Sequence, residues 1–127
     1  MTDQPVADVM TSPVLTVSAD DRTSEVVGAM ARENVKSVVV VSEDCRVDGI
    51  FTATDYMELG LVAADPDSTT VGDCMTTGVV TISPTDSVAT AAGLMVDHDI
   101  SHLPVVGDDD QVVGMVTSTD LTVCLAP

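Results

Sequence analysis

The chain has 127 residues, with 21 Asp plus Glu against 4 Lys plus Arg, a formal net charge of −17, 45% apolar residues and 2% aromatics. That length holds one compact domain or two very small ones, and a mean hydropathy of +0.34 excludes disorder driven by charge, which needs low hydrophobicity as well. Phosphate backbones and anionic bilayers require clustered bases. Arg22, Arg32, Lys36 and Arg46 are the whole supply, so neither a nucleic-acid nor a membrane partner is expected.

No apolar run reaches bilayer length, and Met-Thr-Asp-Gln-Pro at the N-terminus has neither the basic nor the apolar region of a signal peptide. Cys45, Cys74 and Cys124 are odd in number and widely spaced, which argues against a disulfide framework or a zinc site. The expected location is the cytoplasm. So large an acidic excess repels itself unless salt screens it, so adaptation to molar intracellular salt, as in a halophilic archaeon, is expected.

The chain repeats itself. Asp8-Val9-Met10-Thr11 returns as Asp73-Cys74-Met75-Thr76, and Gly49-Ile50-Phe51-Thr52-Ala53-Thr54-Asp55 as Gly114-Met115-Val116-Thr117-Ser118-Thr119-Asp120, both 65 residues on. The boundaries read as a first unit over 6–64, a Pro-, Asp- and Ser-containing linker over 65–70, and a second unit over 71–127.

In chain order, the β-branched run 14–17 predicts a strand, and Ser18 followed by Asp21 predicts the cap of a helix that buries Val26, Val27 and Met30. Two strands follow, Ser37 to Val41 and Val47 to Thr52, joined by a polar turn. Thr52, with Asp55 three positions on, predicts the start of a closing helix. The second copy repeats this order. It predicts a strand over 79–82 and a helix capped by Ser83 with Pro84 first and Asp86 third, burying Val88, Ala91, Ala92 and Met95. Strands over 102–106 and 112–117 follow, then a short helix opened by Thr117 and Asp120. Each unit is thus β-α-β-β-α, and the fold class is α/β of the α+β kind. One unit alone has too little core, so the two are expected to pack their sheets together.

This element order, the opening Val-x-Asp-x-Met-Thr pattern and the closing Gly-h-h-Thr-x-x-Asp, with h apolar, resemble a tandem pair of CBS domains, the modules named after cystathionine β-synthase. Ile100-Ser101-His102-Leu103-Pro104-Val105 is similar to the family's middle strand, whereas the first copy departs from it with Val39 in place of the proline. The resemblance implies a pseudo-twofold module, often called a Bateman module, whose two clefts bind AMP, ADP, ATP or S-adenosylmethionine. By the same resemblance Asp55 and Asp120 would accept from ribose hydroxyls, Thr52 and Thr117 would meet ribose or phosphate, and the surroundings of Thr16, Val38 and Val40, and of Thr81, Leu103 and Val105, would enclose the base. Lys36, Arg32 and a protonated His102 are the candidate bases near a cleft, with Lys36 the candidate phosphate contact. A carboxylate suits a vicinal diol and a helix N-terminus suits a phosphate, yet Thr-x-x-Asp is equally a capping box, and both readings stand at this stage. The poverty of bases favours AMP, adenosine or cationic S-adenosylmethionine over ATP.

No catalytic constellation is visible. His98 and His102 fall on a helix end and a strand start, unlike two metal ligands on one helix face, and Asp108, Asp109 and Asp110 lie in a solvated turn. The cysteines have no visible base, and no Gly-x-Ser-x-Gly, Walker or Gly-x-Gly-x-x-Gly motif occurs. The expected function is a regulatory sensor, without enzymatic activity, cofactor or metal, that signals to a separate protein and forms a homodimer. The alternative is a ligand-free interaction or scaffold protein.

Overall fold

β-Branched runs and polar turns set the strands. The computed structural model describes residues 3–12, 14–61 and 65–125, so the expected repeat ends at 62–64 and 126–127 lie outside the described residues. The first repeat gives β1 (Thr16–Val17), α1 (Thr23–Glu33), β2 (Ser37–Val41), β3 (Val47–Thr52) and α2 (Ala53–Leu61). After the short α3 (Val71–Cys74), the second gives α4 (Val88–His98), β4 (His102–Val106), β5 (Val112–Thr117) and α5 (Ser118–Leu125). The fold is therefore mixed α and β.

β2 and β3 pair antiparallel with Ser37 opposite Thr52, and β4 and β5 pair the same way with His102 opposite Thr117. The register slips between Val40 and Val41 in one hairpin and between Val105 and Val106 in the other. Among the described residues, the non-glycine residues of positive φ are Cys45 and Asp110 in the hairpin turns, and Asn34 and Asp99 capping α1 and α4. Each pair is one repeat position read twice. Asn and Asp suit the helix ends because their short polar side chains tolerate the left-handed region.

The opening of each repeat differs from expectation in two ways. The strand predicted over 14–17 shrinks to Thr16–Val17, parallel to β2, and that over 79–82 shrinks to a single bridge of Ile82 to Val105. Ser18 and Ser83 do not cap helices. Asp21 Oδ2 accepts from the Ser18 backbone N–H at 2.9 Å, and Asp86 Oδ2 from Ser83 at 3.1 Å, so each Ser-x-x-Asp closes its own turn. The helices begin later. Arg22 precedes α1 without a side-chain cap, and Ser87 Oγ caps α4 by accepting from the Thr90 N–H at 3.1 Å.

Two compact units result, one formed by residues 15–79 and the other by residues 1–14 with 80–127. They divide the chain differently from the repeats, because the opening segment of each repeat packs on the body of the other. In the 15–79 unit, Thr76 and Ile50 exchange backbone hydrogen bonds of 3.0 and 2.9 Å, and Val71 enters the core with Val26, Met30, Val38, Val40 and Phe51. The buried Thr23 hydroxyl donates to the Pro66 carbonyl at 2.7 Å, tying the linker to α1. In the other unit Thr11 and Met115 exchange bonds of 2.8 and 3.0 Å, and Val6, in a 3-10 turn over Val6–Asp8, joins Ile82, Val88, Met95, Leu103, Val105 and Leu121. Val6 and Val71 are each fully buried, worth about 1.5–3 kcal/mol apiece.

Candidate functional site

The candidate site residues gather where the last strand of each repeat turns into its closing helix. At the β3–α2 corner the Thr52 backbone N–H donates to Asp55 Oδ2 at 2.9 Å, and the Asp55 N–H donates to Thr52 Oγ1 at 3.2 Å. The β5–α5 corner repeats the arrangement between Thr117 and Asp120 at the same two distances. The capping box foreseen in the sequence is present twice. It occupies one carboxylate oxygen of each aspartate with a backbone donor. Oδ1 makes no hydrogen bond with another described residue, and all four side chains are half-buried. Capping and ligand contact therefore do not compete for the same oxygen.

In the 15–79 unit the Lys36 carbonyl accepts from the Ala53 N–H at 2.9 Å, which brings Lys36, itself exposed, to the same corner as Thr52 and Asp55. Thr16 is exposed and pairs with Val39. In the other unit the Ser101 carbonyl accepts from Ser118, also at 2.9 Å, and His102 stands across the ladder from Thr117. Thr81 is exposed and precedes the Ile82 bridge to β4. Val38 and Leu103 behave differently, since neither has any exposed surface and both belong to the cores.

Burial lowers the pKa of His102 below its ordinary value, and the negative charge of Asp120 opposes that shift in part. The Cys74 thiol is pushed up, first by burial and then by Asp55 and Asp73. Asp55 thus lies within electrostatic reach of Cys74, a residue of the segment that closes its unit. The other corner has the matching neighbourhood, with an open depression of about 360 Å³ lined by Gln4, Val9, Asp120, Val123 and Cys124. Val9 and Cys74 occupy the same repeat position. Neither was singled out as a site residue in the sequence, although both stand inside the recurring Asp-x-Met-Thr motif, which was the available signal. Gln4 and Cys124, which meet through an Sγ–Oε1 contact of 3.3 Å, gave no signal at all.

All three cysteines are free. Among the described residues no group of three His, Cys, Asp or Glu side chains is placed to hold a metal ion, and no helix is long and apolar enough to cross a membrane.

Known proteins resemble the chain over nearly its full length. The CBS domain pair of protein MJ0100, solved in complex with 5′-methylthioadenosine and S-adenosyl-L-methionine, superposes with a TM-score of 0.88 at 27% identity, covering 95% of this chain and 94% of that one. The CBS domain-containing protein YhcV of Bacillus subtilis is 33% identical over 93% of this chain and 83% of its own length. A homoserine O-acetyltransferase of Methanocorpusculum labreanum is 34% identical over 96% of this chain, but the chain spans only 24% of that enzyme. The CBS domain matches twice, at residues 6–61 and 71–126, each holding one Thr–Asp corner, and the chain belongs to the CBS-domain family as a CBS pair.

Proposed function

We propose that this chain is a regulatory sensor that binds an adenosine derivative at its Thr–Asp corners and passes its occupancy to a protein partner, without catalysing a reaction itself. The observation that carries this reading is the repeated capping geometry. It fixes Asp55 and Asp120 by one oxygen and leaves the other for a vicinal diol, beside a helix N-terminus that suits phosphate. The adenosine compounds held by the MJ0100 pair, at 27% identity, support it. Thr52, Thr117 and Lys36 complete the contacts, with Thr16 and Thr81 at the approach to the base. The signal is differential affinity, in which a ligand favouring one conformation shifts the population toward it, and a partner reads the shift. The cytoplasm is the compartment proposed for this exchange.

Calorimetric titration with AMP, ATP, 5′-methylthioadenosine and S-adenosylmethionine tests the reading on wild type, Asp55→Asn and Asp120→Asn. At least one ligand should bind, and each substitution should weaken one site by tenfold or more, about 1.4 kcal/mol. Heat uptake that neither substitution alters would remove the aspartates from the site.

The second reading, a ligand-free interaction protein, is favoured by one observation. α2 exposes Met57 and Leu61 at 62% and 85%, and α5 exposes Val123 at 72%, more apolar surface than two short helices need display. Self-association through these helices is compatible with either reading, as a homodimer. Absence of binding for all four ligands leaves the interaction protein.

A further inference from the structure

The two units differ in one electrostatic respect. All four permanent bases, Arg22, Arg32, Lys36 and Arg46, belong to residues 15–79, and the unit made of residues 1–14 and 80–127 has no Lys or Arg. At the corner of the first unit the residue just before β2 is Lys36, a fixed cation. The same position in the second unit is Ser101, followed by His102. His102 is half-buried and lies across the ladder from Thr117, whose hydroxyl accepts from the Asp120 N–H. Its Nδ1 lies 3.2 Å from Ser101 Oγ. His98, the other histidine, is exposed in the last turn of α4.

We propose that His102 is the charge-selecting residue of the second corner, admitting an anionic ester of adenosine when protonated and leaving the corner to uncharged or cationic adenosine derivatives when neutral. The inference rests on the adenosine-binding reading above. The ionisable groups around His102 support it. β5 has none, α5 carries Asp120 and Cys124, and α4, which packs on β4, carries Asp97 and His98 with Asp99 as its cap. Asp120 is the charge that acts on the imidazole. Without the proton, an anion at this corner meets Asp120 with no cation from its own unit to offset it. With the proton, His102 offsets that carboxylate, and a single such charge at contact distance, screened by nearby solvent, is worth about fivefold in affinity. The first corner has Lys36 and no histidine, so its response to the same ligand should be flat. Protonation is opposed by burial, so the gain belongs to the acid side of neutrality.

The test uses two probes whose own charge does not change between about pH 5 and pH 8, the window of histidine titration. Adenosine 5′-sulfate stays singly negative, and 5′-methylthioadenosine stays neutral. Binding to the full chain is measured by calorimetry across that window for wild type, His102→Gln and His102→Lys, with circular dichroism confirming that each variant folds. In wild type the sulfate ester should bind one site about fivefold more tightly at the acid end, while 5′-methylthioadenosine gains nothing. His102→Gln should abolish the pH response and hold the weak affinity; His102→Lys should abolish it and hold the strong one. An equal pH response in wild type and His102→Gln, or no gain of sulfate-ester affinity in His102→Lys, overturns the role of His102 while adenosine binding stands. If neither probe binds any of the three proteins, the adenosine-binding reading itself fails.

Discussion

Substituting Gly114 by alanine tests whether the N-terminal segment really closes the second unit. Gly114 lies within β5, and a Cβ there would stand 2.6 Å from Met10 Sδ, 3.1 Å from Met10 Cγ and 2.9 Å from the Thr11 carbonyl oxygen. The methionine can turn aside, being unbranched and adaptable. The carbonyl cannot, because it accepts from the Met115 N–H at 3.0 Å while the Thr11 N–H donates to Met115 at 2.8 Å. Gly114→Ala must therefore push the segment off the strand, straining two hydrogen bonds worth about 1 kcal/mol each, or carry an overpacking cost of about 1–3 kcal/mol. Alanine also removes unfolded-state freedom, a stabilisation of about 0.4–1 kcal/mol, so the expected net loss is about 1–2 kcal/mol. Gly93→Ala is the control. It changes an exposed helical glycine of α4 with open space around it, and should stabilise by about 0.5–1 kcal/mol. Urea unfolding followed by far-ultraviolet circular dichroism reads both, since the chain has no tryptophan. A Gly114→Ala protein within about 0.5 kcal/mol of wild type, the range of an ordinary surface change, would refute the docking of Thr11 on β5. Met10→Ala in the Gly114→Ala background should recover only part of the loss, because the carbonyl stays in place.

Thr23→Val keeps the shape of a fully buried side chain but removes its 2.7 Å bond to the Pro66 carbonyl, which retains the Ser24 N–H as a donor at 3.2 Å, and should cost about 0.5–1.5 kcal/mol in the same urea assay. His102 gives a pH dependence of stability: its folded pKa lies below the unfolded value, so the unfolded chain binds more protons between the two. Its contribution is complete above the ordinary histidine pKa and is lost as pH falls through the lowered one. Melting temperature should therefore decline less on acidification in His102→Gln than in wild type. The charge of −17 predicts a melting temperature that climbs with KCl well beyond the first few tenths molar; a flat response would exclude adaptation to molar salt.

The elements that carry side-chain alternation were legible. Val38 and Val40 enter the core beneath β2 and Leu103 and Val105 beneath β4, as their β-branched and aliphatic runs require, and both Thr-x-x-Asp boxes formed as written. Ser18-x-x-Asp21 and Ser83-x-x-Asp86 misled because the same four-residue chemistry also closes an isolated turn. Serine and aspartate satisfy nearby backbone donors whether or not a helix follows. What separated the cases was the apolar period, which in α4 starts at Val88, five residues beyond the turn's serine. Leu103 and Val38 show a different limit, for a motif names a position without saying whether its side chain is spent on packing.

The exchange of opening segments was invisible for a reason built into the repeat. Asp-x-Met-Thr occurs twice and so does Gly-h-h-Thr, so local complementarity is the same for either pairing; the glycines at 49 and 114 accommodate Met75 and Met10 alike. Chain entropy would favour the nearer choice, Thr11 with Ile50 about 39 residues away, over Met115 about 104 away, yet loop closure grows so slowly with length that the difference is about 0.9 kcal/mol. Thr76 lies closer still to Ile50 and bonds it in both directions, which leaves Met115 as the corresponding partner for Thr11. With Val6 and Val71 each fully buried, packing energy exceeds the loop cost on either side. The consequence reaches the candidate site. Val9 beside Asp120 and Cys74 near Asp55 come from the exchanged segments, so neither repeat assembles its own corner from its own residues alone, and a truncation that removes residues 1–14 should damage the corner at Asp120 while sparing the one at Asp55.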